Sequence, residues 1–188
     1  GPGLRFVIWF QGCTLGCPGC FNPDMQPRAE CRRVAVADLF AQIGAAKDRV
    51  QGVTLTGGEP LQQAEGLLAL LVCLRRETAL SVLLFSGYTL DELRVLPFGP
   101  GILARVDALV AGRYDAAQRL GRGLRGSANQ TLHCLTGRYS PVDLEAVPEA
   151  EVILAPDGRV TFTGVGSAAV ISRAPTAAHS LTPAAPWP

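Results

Sequence analysis

Strand-like runs alternating with helical-period runs predict an α/β fold of parallel strands and crossover helices, ending in a β-hairpin. Three observations carry this. Four short runs rich in β-branched, aliphatic and aromatic residues recur between Leu4 and Gly112. Segments with apolar residues at helical spacing separate them. Finally, "EVILAPDGRVTFTG", Glu151 to Gly164, reads as two strands turning at Pro156-Asp157-Gly158.

"LRFVIWF" (Leu4 to Phe10) is the first strand and runs directly into a loop, "QGCTLGCPGCFNPD". Val36 to Lys47 carries the first helical pattern. A short buried strand follows at Val53 to Thr56 and is stopped by Gly57-Gly58. Leu61 to Glu77 is the longest helical stretch, with Arg75 and Arg76 placed to complement the dipole of its last turn. Leu80 to Ser86 is the third strand. Thr89 and Glu92 have the form of a capping box and open a helix to about Leu96. Val106 to Gly112 is the fourth strand, and the Gly- and Arg-containing stretch up to about Tyr139 reads as one long loop. Residues 1–164 form the expected domain, and the Ala/Pro-rich residues 165–188 read as a flexible tail. In sheets built this way the working site lies at the C-terminal ends of the strands. The cysteine loop, Gly57-Gly58, Ser86-Gly87 and Gly112 are therefore expected on one rim.

Composition narrows the function classes. A hydrophobic content of 48% with 18% charged residues describes a globular chain, and 188 residues suffice for one domain with a substantial core. A net charge of +1 supplies no footprint for nucleic acid or an anionic membrane. The apolar run Leu67 to Leu74 is far shorter than the roughly 20 residues of a membrane span. No export signal is visible, so reduced thiols in the cytoplasm are expected, and metal binding takes precedence over disulfides.

Cys13, Cys17 and Cys20 crowd three thiols into eight positions. Thiolates so grouped suit zinc or an iron–sulfur cluster. With Cys31 as a fourth ligand the pattern C-x3-C-x2-C-x10-C would close a structural zinc site or a ferredoxin-like cluster. With three ligands alone, one iron stays open to an exchangeable group. Spacing leaves these alternatives open. "TGGEP", Thr56 to Pro60, adds a second feature: two glycines permit close backbone approach with exposed carbonyls, and Glu59 contributes a carboxylate. Such an acceptor-rich edge suits a primary ammonium group, and a plain strand-to-helix turn is the alternative reading.

Taken together, these stretches resemble the radical S-adenosylmethionine (SAM) superfamily, and most closely the activating proteins of anaerobic ribonucleoside-triphosphate reductase and related glycyl-radical enzymes. The resemblance runs from "GPGLRFVIWFQGCTLGCPGCFNP" through "TLTGGEP", "LLFSGYTLDEL" and "VDALVAGRYD" to "RGSANQ" and "GRVTFTG". It implies a partial, open β/α barrel. It also implies a [4Fe-4S] cluster on Cys13, Cys17 and Cys20, with SAM held by its amino and carboxylate groups at the fourth iron. Gly57, Gly58, Glu59 and Pro60 would receive the methionyl ammonium, and Ser86 resembles a residue of a SAM-side stretch. Asp107 resembles the family's strand acid, while Ser127 and Asn129, with Gln130, match a recurring subgroup motif. The implied reaction is reductive cleavage of SAM to a 5′-deoxyadenosyl radical that generates a glycyl radical on a ribonucleotide-reductase-like partner. Reduced flavodoxin or ferredoxin would donate the electron, with no role for nucleic acid or membrane. A radical enzyme acting on a peptide or small molecule, and a non-catalytic four-cysteine module using Cys31, are the rival readings.

The remaining candidates read as structural. Phe21 follows the third cysteine, where the commoner superfamily pattern puts an aromatic before it, and Asn22 is suited to bonding its own loop. Hydrogen-atom abstraction needs no proton relay from His133 or His179. Cys73, inside an apolar helix, reads as a small buried residue, and Cys134 carries no assignment.

Overall fold

A computed structural model describes residues 1–27, 32–154, 157–158 and 160–166 of the chain. Cys31, Pro156, His179 and nearly all of the Ala/Pro-rich segment lie outside the described residues.

The sheet is assembled in chain order. Strand β1 (Arg5–Phe10) pairs in parallel with β2 (Gly52–Gly57), β2 with β3 (Ser81–Ser86), and β3 with β4 (Ala108–Ala111). The edge strand β7 (Thr131–Cys134) is antiparallel to β4, giving the order β1-β2-β3-β4-β7. Right-handed crossovers between sequentially adjacent parallel strands all fall on one face. That face carries helices α1 (Val36–Ala46), α2 (Ala64–Glu77), α3 (Leu90–Val95) and α4 (Gly99–Leu103). Strand alternation does the rest. Ile8, Val53, Leu55, Val82, Leu84 and Leu109 point into the helices, meeting Leu67, Leu70, Leu71 and Leu74 of α2. Full burial of each such side chain contributes about 1.5–3 kcal/mol.

The opposite face is covered only in part. Over β3 and β4, Leu83, Ala108 and Val110 pack against Leu124, Leu144 and Val147 from the later chain. Over β1 the face is open, with Val7 and Trp9 exposed. The expected C-terminal hairpin is present as β8 (Ala150–Leu154) and β9 (Val160–Gly164). The chain just beyond it is held, since Gly166 N–H donates to Glu149 O at 2.6 Å.

The stretch read as one long loop is structured instead. It contains β5 (Arg119–Arg122) and β6 (Arg125–Ser127), which pair with each other, as well as β7. Helix α4 and a short helix α5 (Pro141–Glu145) were likewise not expected. Short strands such as RLGR and RGS show no apolar alternation, and their pairing depends on tertiary context.

At the N-terminal ends of the strands a polar cluster ties the sheet together. The Arg5 guanidinium donates to Thr54 Oγ1 (2.7 Å), Val53 O (2.6 Å), Ser81 Oγ (3.0 Å) and the Tyr139 hydroxyl (3.0 Å). It thereby binds β1 to β2, β3 and the chain beyond β7.

Candidate functional site

The C-terminal ends of β1 to β4 do form one rim, and the cysteine loop is fastened to the end of β2 first by backbone. Gly58 N–H donates to Phe10 O (2.7 Å) and Glu59 N–H to Gly12 O (2.9 Å). Gly12 and Cys13 N–H groups in turn donate to Met25 O (2.8 Å) and Gln26 O (3.0 Å), closing the loop on itself. This proximity explains both glycines. Gly57 has φ +107°, and a Cβ there would sit 2.5 Å from Phe10 O; at Gly58 it would meet Gly12 O at 2.4 Å. The close backbone approach read from the sequence is thus made to the cysteine loop.

Three glutamines complete the fastening and had no signal in the sequence beyond their position. Gln62 Oε1 accepts from Thr14 N–H (3.1 Å) while its Nε2 donates to Thr14 Oγ1 (2.8 Å). Gln63 Nε2 donates to Gln11 O (2.9 Å), and Gln11 Nε2 donates to Asp24 O (3.0 Å) and Pro27 O (2.6 Å). Asn22 reaches towards Gly57 O at 3.5 Å, a long contact.

Glu59 is buried, 1% exposed, and both carboxylate oxygens are engaged. Oε1 accepts from Leu61 N–H (2.9 Å) and Ser86 Oγ (3.0 Å), and Oε2 accepts from Gly87 N–H (2.7 Å). It caps the turn opened by the buried Pro60 and locks the end of β2 to the end of β3. Burial raises its pKa despite the hydrogen bonds from Leu61, Gly87 and Ser86 that favour the carboxylate. Ser86 uses its hydroxyl for Glu59 and accepts Tyr88 N–H at 3.1 Å.

Cys13, Cys17 and Cys20 are half-buried and free. They line one cleft of ≈ 310 Å³ together with Gly57, Gly58 and Glu59. The cleft extends over the open face past Trp9 and Thr56 towards Ile153 of the hairpin. Burial raises the Cys13 pKa, and the neighbouring Glu59 carboxylate and the other two thiols push it up further, against a backbone hydrogen bond from Leu15. A metal centre bound there would favour the thiolate by its own charge. Among the described residues no three His, Cys, Asp or Glu side chains gather tightly enough for a single ion. A second cleft of ≈ 540 Å³ lies away from the thiols, between Leu61–Gly66 and Tyr88, Leu96 and Phe98.

The later candidates divide. Ser127 is fully buried; its Oγ accepts Asp115 N–H (3.1 Å), and its N–H donates to Gln130 Oε1 (3.2 Å). Asn129 Nδ2 donates to Arg113 O (2.8 Å), and Gln130 Nε2 to Gly112 O (3.0 Å), so this motif shapes the loop after β4. Tyr114 from that loop meets Phe21 edge-on at 5.6 Å, joining it to the cysteine loop. Asp107 is not brought to the rim. It precedes β4, about 13 Å from the Ala111 end. There it accepts from Arg75 Nη2 (2.8 Å), Val82 N–H (2.7 Å) and Thr136 Oγ1 (2.8 Å). Burial opposes its ionisation, but the bonds from Val82, Arg75 and Thr136 outweigh it and hold the pKa below the ordinary aspartate value. His133 bonds Thr131 Oγ1 at 2.8 Å on the edge strand, away from the thiols.

Known proteins place this arrangement in context. Residues 1–133 match the family model of the 4Fe-4S single cluster domain. The chain is 30% identical over 143 residues to the anaerobic ribonucleoside-triphosphate reductase-activating protein of Vibrio cholerae, covering 72% of this chain and 91% of that protein. The protein of the same name from Enterobacteria phage T4 is 30% identical over 137 residues (70% and 85%). That from Haemophilus influenzae is 33% identical over 147 residues (71% and 89%).

Proposed function

The chain belongs to the family of 4Fe-4S single cluster domains and is a homologue of anaerobic ribonucleoside-triphosphate reductase-activating proteins, and from that premise we propose that it is a radical SAM activase. Its cofactors are a [4Fe-4S] cluster on Cys13, Cys17 and Cys20, and SAM. Its protein substrate is an anaerobic ribonucleotide reductase. Reduced flavodoxin or ferredoxin supplies the electron, and the protein works in the cytoplasm without nucleic acid or membrane. Among the described residues no helix is long and apolar enough to cross a membrane.

The observation that carries this reading is the fastening of the cysteine loop to Gly58 and Glu59, with all three thiols and the two glycines lining one cleft. A cluster held by Cys13, Cys17 and Cys20 would supply the one-electron reduction that cleaves SAM, and the radical chemistry so started would be directed at a backbone glycine of the partner. The chain's own residues hold and orient. The backbone of Gly57 and Gly58 would receive the methionyl ammonium, while Glu59 and Ser86 act as positioning residues that fix this edge against β3. Ser127 and Asn129 shape the loop that closes the rim beyond β4. Thiols spread along one cleft suit a multi-iron centre, with one thiolate per iron, better than a mononuclear site whose ligands must meet at one point.

A sheet with its helices on one face and the opposite face covered only in part supports a partial, open barrel. An open side admits a macromolecular substrate. The test is anaerobic: the reconstituted protein, a reductant, SAM and an anaerobic ribonucleotide reductase should together give a glycyl-radical signal by electron paramagnetic resonance. A fully loaded cluster that yields no such signal on the reductase, yet still consumes SAM, would move the substrate to another peptide or small molecule.

A further inference from the structure

The net charge of +1 conceals an asymmetry. From Arg113 to Arg125 the chain carries four arginines and one acid, Asp115; this local +3 leaves −2 for everything else. Two of these arginines are paired: Arg113 with Glu92 at 2.9 Å and Arg125 with Glu145 at 3.7 Å. Arg119 and Arg122, at the two ends of β5, are exposed and have no carboxylate within ion-pair distance among the described residues.

Arg119 is placed beside the cysteine loop. The Arg119 guanidinium lies 5.3 Å from the ring centre of Phe21, the residue after Cys20, and donates to Gly166 O at 3.0 Å. Gly121 and Gly123, on either side of Arg122, have φ near +60°, and a Cβ at Gly123 would press on the Glu145 backbone at 3.2 Å. The hairpin is thus seated against α5 and the Phe21 ring, with Arg119 beside the cysteine loop and Arg122 facing solvent at the other end of β5.

We infer that the β5–β6 hairpin, through Arg119 and Arg122, is the docking surface for a small acidic one-electron carrier protein. The inference rests on the reading above, in which the cysteine loop holds a cluster that must be reduced from outside. In the transfer one electron leaves the reduced carrier and enters the oxidised cluster, with no bond made or broken. Transient redox encounters use small interfaces, in which complementary charge sets the encounter rate. Arginine suits such a contact, because its planar fork meets carboxylates in pairs and is weakly hydrated.

The experiment compares the reconstituted parent with a variant carrying Arg119→Gln and Arg122→Glu, and with a charge-keeping variant, Arg119→Lys and Arg122→Lys. Cluster reduction is followed by stopped-flow absorbance with two reductants: reduced flavodoxin as the acidic probe, and photoreduced deazariboflavin as a small molecule that needs no docking. The expected result is a loss of about tenfold or more in the flavodoxin rate at low salt, with a flattened salt dependence. The deazaflavin rate should hold within about twofold, and the lysine variant should recover most of the flavodoxin rate. An unchanged flavodoxin rate overturns the inference. So does an unchanged flavodoxin rate with a reduced glycyl-radical yield under deazaflavin, which would assign the hairpin to the reductase. Failure of the underlying reading shows separately, as a parent that takes up no cluster on its three cysteines, and would overturn both.

Discussion

The two ends of the parallel sheet solve the same problem by different means. At the N-terminal ends of the strands, charged side chains do the joining: Arg5 reaches Thr54, Ser81 and Tyr139, and Asp107 reaches Arg75, Val82 and Thr136. Every one of those groups is consumed in the joining. At the C-terminal ends glycine backbones, two neutral glutamine amides and one buried carboxylate do it, through Gly12, Gly58, Gln62, Gln63 and Glu59, and the three thiols are left open to a cleft. An end whose polar side chains bond one another is built for stability. An end whose joining spares the three thiols leaves them free to meet a ligand.

The sharpest break of this comparison is Gly58→Ala. Its Cβ would lie 2.4 Å from Gly12 O and 2.8 Å from Met25 O. Both are backbone atoms, so the cysteine loop itself must move. We expect a destabilisation of about 3 kcal/mol and loss of cluster uptake. Urea unfolding and the iron content after reconstitution read the two effects.

Arg5→Met is the matching test at the other end. It keeps the apolar stem but strands the acceptors of a part-buried guanidinium. About 2–3 kcal/mol of stability should be lost while cluster uptake per folded molecule stays near that of the parent. Equal loss of uptake in both variants would abolish the distinction between the ends.

A pH series separates the two carboxylates by sign. The Asp107 pKa is lowered on folding, so its contribution is fully present above the unfolded value of about 3.9 and lost as pH falls through the folded value. Asp107→Asn should cost about 2 kcal/mol near neutrality and flatten the acid limb of the stability profile. The Glu59 pKa is raised, so its contribution is present below the unfolded value of about 4.3 and lost as pH rises through the folded one. Glu59→Gln should flatten that higher window instead. Its amide would oppose the Gly87 N–H, at a cost of about 1–2 kcal/mol. Thermal melts from pH 3 to 8 check both.

Much of this was legible in the sequence, and the failures have physical causes. Strands β1 to β4 and helices α1 to α3 carry apolar residues at the periods of their structures, so their order and the shared rim could be read directly. Helix α4 escaped because it sits in "PFGPG", which reads as a turn; Pro100 falls in its first turn, where a missing N–H costs nothing, and Phe98 before it takes φ +64°. The Glu59 carboxylate looked free to meet an ammonium group because sequence cannot show Gly87 N–H arriving from β3. Asp107 looked like a site acid because a strand's residues do not announce which end faces the ligand; lying before β4 rather than after it decides the matter. The cysteine spacing needed no tertiary context, since all three thiols share one loop.

The smallest expected effect sharpens the comparison at the surface. Glu92 is exposed, and its hydrogen bond from Arg113, with one from Thr89 N–H, lowers its pKa to about 2. Glu92→Gln keeps the capping box of α3 and removes only the ion pair. Chemical denaturation should register a change of less than about 0.5 kcal/mol.

The central claim is that the rim holds a cluster that cleaves SAM, and its most direct measurement is 5′-deoxyadenosine. The anaerobically reconstituted, reduced parent should release it on addition of SAM, and a variant with Cys13, Cys17 and Cys20 changed to Ala should release none. A parent with a fully loaded cluster that forms no 5′-deoxyadenosine would contradict the account and leave a cluster-binding module without this chemistry.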